Sequence, residues 1–107
     1  MITKDDILFE VETPLGFTVR SSKEYWEIII SQKHPVMADK LDLVKTALSY
    51  PHEVRQSKID TSVYLFYSEL RSKRWVCAVA KRLNGNGFLV TAYLTDAIKE
   101  GERIWIR

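Results

Sequence analysis

The sequence predicts an α+β fold: an N-terminal strand pair, two helices, then a four-stranded antiparallel sheet with the helices packed on one face. Three observations predict it. Apolar residues recur at helical intervals through two segments that end near Pro35 and Pro51. From Glu53 onward the pattern changes to a period of two, and the last two alternating runs are joined by "NGNG", a strong hairpin signal.

Taken in order, "ILFEVET" and "FTVR" flank "PLG", where Pro14 and Gly16 supply turn chemistry for a small strand pair. "SSKEYWEIIISQK" follows. Ser21 and Glu24 have capping-box spacing, and Tyr25, Ile28, Ile29 and Gln32 recur at helical intervals, so a helix should start near Ser22. Pro35 disfavours helical geometry at His34 and should end it there. A second helix is expected from about Met37 to Ser49, burying Leu41, Val44, Ala47 and Leu48, with Pro51 closing it. "EVRQSKI", "VYLFYSEL", "RWVCAVAKRL" and "GFLVTAYLT" then read as four successive strands. The tail "DAIKEGERIWIR" is expected to make a turn and a short final strand or extended segment, with Ile104, Trp105 and Ile106 packing back on the body. Tyr25, Trp26, Trp75 and Trp105 read as core anchors.

A chain of 107 residues with 46% hydrophobic and 28% charged residues can bury a core as a single domain, residues 1–107, and is not disordered. No apolar run is long enough to span a bilayer. The start "MITKDD" lacks the basic-then-apolar pattern of a signal peptide, so a cytoplasmic location is expected. The single cysteine, Cys77, sits among apolar residues and is expected to be a buried free thiol. Two histidines and one cysteine without close spacing do not make a zinc site, and no metal or cofactor is expected. A net charge of +2 does not by itself declare nucleic-acid binding. Local clustering says more: Arg71, Lys73, Arg74, Lys81 and Arg82 fall around a predicted hairpin, with Arg55 and Lys58 shortly before it. The plain alternative is a solvated sheet edge guarded by charge.

Within "GFLVTAYLTD", a period of two sets Phe88, Val90, Ala92 and Leu94 on one face and Leu89, Thr91, Tyr93 and Thr95 on the other. The second face is either the wet side of the sheet or the wall of a site. Parity in the last hairpin bears on this. A loop with an even number of residues would put Val76, Ala78, Ala80 and Arg82 on the face of Thr91 and Tyr93, and an odd loop would put Lys81 there instead.

The order of "KHP" at a helix end, "P-x-x-V-R" entering the first sheet strand, "VYLFY", "VAK" and "VTAY" resembles the phage-associated branch of the barnase, EndoU, colicin and RelE-like (BECR-fold) nucleases. "FLVTAYLTDAIKEG" is also similar to a group of small cyanobacterial proteins assigned to that branch. The similarity covers roughly residues 17 to 105. It implies a metal-independent endoribonuclease of toxin type, with an RNA substrate and an antitoxin or immunity protein as partner. Matched motif by motif, it implies His34, Arg55, Lys81, Thr91 and Tyr93 as catalytic residues and Tyr67 as a substrate contact; the basic clustering adds Lys58 as substrate-binding, and the open parity makes Arg82, also substrate-binding, the substitute for Lys81.

Metal-independent cleavage of RNA needs a base for the 2′-hydroxyl proton, an acid for the leaving 5′-oxygen, and donors for charge on the phosphate. An imidazole suits either proton role, and a pre-proline position would hold His34 outside the helix. Arg55 offers a planar fork and Lys81 a point charge to the phosphate, while Thr91 donates and Tyr93 donates or stacks. Each has a plain structural alternative: a local cap for His34, pairing with Glu53 or Glu69 for the strand cations, and ordinary sheet surface for Thr91 and Tyr93. His52, in "YPHEV", is the competing histidine and reads as solvent-facing. A functional alternative of another class is a non-catalytic RNA- or protein-binding module retaining the same fold.

Overall fold

A computed structural model describes residues 6–107. The segment 1–5, which carries most of the start read against a signal peptide, lies outside the described residues. The chain is α+β as expected, but its strands form one sheet of seven rather than a strand pair beside a sheet of four. Strands β1 (Ile7–Glu12) and β2 (Thr18–Ser22) form the N-terminal hairpin, and β3 (Glu53–Gln56), β4 (Val63–Arg71), β5 (Arg74–Leu83), β6 (Asn86–Thr95) and β7 (Glu102–Ile106) follow the helices. Their spatial order is β1-β2-β6-β5-β4-β3-β7. Two long-range pairings extend the predicted four strands: β2 runs parallel to β6 through Thr18–Arg20 against Asn86–Phe88, and the tail strand β7 lies antiparallel to β3. Neither leaves a local signal, because both join segments far apart in sequence.

Between β2 and β3, helix α1 (Lys23–Ile28) starts where Ser22 Oγ accepts from the Tyr25 N–H at 3.0 Å, one residue after the predicted capping serine. The helix widens into a π-helical segment, Ile29–Lys33, and ends at His34 before Pro35 as expected. The second predicted helix is divided. Pro35–Met37 make a 3-10 turn, and α2 spans Leu41–Ser49 with Val44, Ala47 and Leu48 buried. The helices cover one face of the sheet. Trp26, Ile29, Met37, Val44, Ala47 and Leu48 pack there against Val19, Val54, Phe66, Val76, Ala78, Ala80, Leu89 and Ala92. Trp75 instead belongs to a smaller apolar cluster on the opposite face, with Leu65, Tyr67, Cys77, Val79 and Tyr93.

One irregularity sets the site. The β5–β6 loop is even, with Leu83 paired to Asn86 around Asn84 and Gly85, and Asn84 takes the positive φ of 60° that such a tight turn requires. The register then shifts, so Ala80 pairs with Leu89 but Val79 pairs with Thr91, and Val90 is the extra residue of a β-bulge. The bulge reverses the parity that the loop alone would set. Leu89 therefore joins the helix-side core, Val90 joins Thr91 and Tyr93 on the other face, and Lys81, not Arg82, shares that face. The basic residues are also dispersed. Arg74 and Arg82 sit at opposite ends of β5, roughly 27 Å apart at about 3.4 Å per residue, so they form no single patch.

Candidate active site

On the sheet face away from the helices, cross-strand pairing aligns side chains in rows. Tyr67, Cys77 and Tyr93 are direct neighbours across β4, β5 and β6, and Leu65, Val79 and Thr91 form the next row. Above these rows lies a cavity of about 410 Å³ lined by His34, Ser57, Val63, Leu65, Val79, Thr91, Tyr93 and Glu100. A second cavity of about 410 Å³, lined by Ser57, Lys58, Ile59, Leu65, Glu100 and Gly101, adjoins it. Ser57, Leu65 and Glu100 belong to both.

His34 meets this face beside the bulge. β2 pairs with β6 only as far as Phe88, so the Val90 carbonyl has no strand partner on that side. The Tyr25 hydroxyl donates to it at 2.7 Å and Lys33 Nζ at 3.3 Å, while Lys33 Nζ also donates to the Tyr25 hydroxyl at 2.9 Å. These bonds hold the end of the first helix against the edge of β6. The next residue, His34, donates its N–H to the Ile29 carbonyl at 2.7 Å, and its ring lies 5.7 Å from the Tyr93 ring, centroid to centroid.

Thr91 Oγ1 is solvent-inaccessible and has no partner among the described residues, although Thr91 lines the cavity. A buried hydroxyl without a partner costs free energy, which an acceptor in the cavity would recover once a χ1 rotation exposed the hydroxyl to it. Burial keeps the Tyr93 and Tyr67 phenols well above their ordinary range, and the neighbouring Cys77 thiol and Glu100 carboxylate add to the effect. Both hydroxyls are therefore neutral donors at physiological pH. Burial likewise pushes the Cys77 thiol up to about 12, against the pull of hydrogen bonds from Tyr93 and Tyr67. It is a buried free cysteine, protonated and unsuited to nucleophilic attack.

The predicted cations lie outside the main cavity. Arg55 is on the same face, paired across to Leu65, but its Nε donates to Glu53 Oε2 at 2.6 Å and its Nη1 to the Gly101 carbonyl at 3.2 Å. Lys81 pairs with Asp60 at 3.4 Å, both side chains partly exposed. The Ser62 hydroxyl and N–H donate to Asp60 and hold that carboxyl below its usual range, with Lys81 adding to the effect. Lys58 is exposed and lines the second cavity. Arg82 lies on the helix side, its guanidinium 4.8 Å from the centre of the Phe17 ring. Tyr67 is fully buried in the apolar cluster of this face and lines neither of these two cavities. His52, expected in solvent, is half-buried and packs on Trp75 with ring centroids 5.0 Å apart.

Four residues of this region carried no functional signal in the sequence. Glu100 and Ser57 reach the cavity through the β3–β7 pairing and the β3–β4 loop, both long-range or irregular features. Tyr25, read as a core anchor, and Lys33 act through the bulge carbonyl. His34, Thr91 and Tyr93, three of the residues that the resemblance implies, line one cavity; among the described residues, the wall adds one carboxylate to them. No helix of the described residues is long and apolar enough to cross a membrane. No protein-family model, curated protein or solved structure matches this chain, so the site's chemistry rests on its own residues.

Proposed function

We propose that the protein is a metal-independent endoribonuclease acting through the cavity on the open sheet face. The observation that carries this reading is the convergence of an imidazole (His34), a carboxylate (Glu100) and an unpartnered hydroxyl (Thr91) on one cavity of ligand size. One proton-transfer group takes the proton of the 2′-hydroxyl as its oxygen attacks phosphorus. The other gives a proton to the 5′-oxygen as the P–O5′ bond breaks. The products are a 2′,3′-cyclic phosphate and a 5′-hydroxyl. Thr91 Oγ1, out of reach of solvent at rest, donates to a phosphate oxygen after a χ1 rotation that turns it into the cavity, and the Tyr93 ring, beside His34, stacks on a base or on the imidazole itself. Lys81 is held only by a partly exposed ion pair, so turning toward a bound phosphate costs it little. An antitoxin or immunity protein, as the resemblance implies, would act by covering this face.

One observation favours a second reading, a module that binds RNA or protein without cleaving it: Arg55 and Lys81 are both engaged by carboxylates and neither lines the main cavity. Cleavage of a mixed RNA pool in EDTA by wild type, His34→Ala and Glu100→Gln separates the two. The nuclease reading expects cyclic-phosphate ends from the wild type and a loss on the order of 10² to 10⁴-fold in each variant. RNA bound but uncut by the wild type supports the binding module instead.

A further inference from the structure

Resting on the nuclease reading, we infer that Arg55 is a positioning residue for the active site rather than a phosphate ligand: with Glu53 it forms a latch that fixes the segment carrying Glu100 across the wall shared by the two cavities. Three observations support this. The guanidinium is already committed, Nε to Glu53 Oε2 at 2.6 Å and Nη1 to the Gly101 carbonyl at 3.2 Å. Glu53 is only 6% exposed, so Arg55 is the counter-charge of a buried carboxylate and does not readily leave it. The carbonyl it holds belongs to Gly101, immediately after Glu100, where the chain turns from the loop following β6 into β7.

Gly101 is itself built for close approach. Its φ is +76°, and a Cβ there would meet the Gln56 carbonyl oxygen at 2.5 Å. The Glu100–Gly101 segment is thus seated on β3 from two sides, by backbone contact with Gln56 and by the Arg55 fork. Glu100 lines both cavities, so its position decides how the groove is divided. A lysine at position 55 would still neutralise Glu53, but its single ammonium does not reproduce the planar fork that serves Glu53 and Gly101 together.

The test compares wild type with Arg55→Lys, chosen to keep the buried charge paired, and with Gly101→Ala, which displaces the same segment from the backbone side. Amide hydrogen exchange is expected to quicken at least tenfold over residues 97–101 in both variants while β4 and β5 keep their protection. Cleavage of a short RNA should lose kcat at least tenfold with KM changed less than threefold, since ground-state binding does not pass through Arg55. Unchanged exchange over 97–101 in Arg55→Lys overturns the latch. Faster exchange with undiminished kcat overturns the positioning role. A proportional rise in KM with kcat intact shows Arg55 to be a substrate ligand instead. If the wild type does not cleave, the nuclease reading fails by itself, and the exchange comparison still decides the latch.

Discussion

Replacing Thr91 with valine removes a hydroxyl that is out of reach of solvent and lacks a partner among the described residues. A buried unsatisfied hydroxyl costs about 1–3 kcal/mol, and valine is equally β-branched, so the backbone and χ1 preferences of the strand are kept. Thr91 is registered against Val79 and lines a cavity of about 410 Å³, which leaves room for the extra methyl without overpacking. Thr91→Val should therefore stabilise the protein by about 1–2 kcal/mol, raising Tm by roughly 4–8 °C for each kcal/mol in a domain of this size. The same change should abolish RNA cleavage, because the hydroxyl is spent on the ligand rather than on the fold. Urea and thermal unfolding followed by tryptophan fluorescence measure the first effect, and end-labelled RNA the second. Thr91→Ser is the control: it keeps the donor and loses a methyl, so it should lose stability and retain cleavage. A valine variant destabilised by about 1 kcal/mol or more would refute the argument, because the hydroxyl would then be bonded in the folded protein.

Further expectations concern charge and protonation. Lys58→Gln should lower the slope of log K against log salt for single-stranded RNA by about 0.7, the share of one phosphate contact, whereas Arg82→Gln, on the opposite face over Phe17, should leave it unchanged. Cys77 has a folded value raised from 9.0 to about 12, so the unfolded chain releases its proton first; stability from this group is full below pH 9 and is lost as pH rises toward 12. Cys77→Ala should flatten that alkaline decline in denaturation measured from pH 8 to 11, relative to wild type, and in the wild type the thiol should resist alkylation at pH 8 until the protein is unfolded.

The helices, the four central strands and the helix-end histidine were readable because each depends on neighbours in sequence: capping serines, prolines, and alternation bounded by turn residues. Val44, Ala47 and Leu48 are buried as their spacing required. The remaining architecture came from contacts that no local pattern encodes. The parallel seam of β2 with β6 spans only three residue pairs, and the tail strand reads as two-sided polar and apolar until β3 receives it. Pairing of Arg55 with Glu53 was already an alternative on sequence grounds, but nothing local announced that the Gly101 carbonyl would complete the fork. Lys81 and Arg82 were indistinguishable by parity because one extra residue in β6 decides between them.

That extra residue, Val90, makes β6 a strand written in two reading frames. Before it the inward positions are odd-numbered, with Leu89 in the helix-side core; after it they are even-numbered, with Ala92 there instead. Removing one residue at this point would restore a regular ladder only by rotating one half of the strand. Either Thr91 and Tyr93 would enter the core and Ala92 leave it, or Leu89 would turn to the open face. The same deletion would withdraw the carbonyl on which Tyr25 and Lys33 converge, and with it the mooring of His34. A single position thus sets which face Thr91 and Tyr93 line and where the end of the first helix is moored.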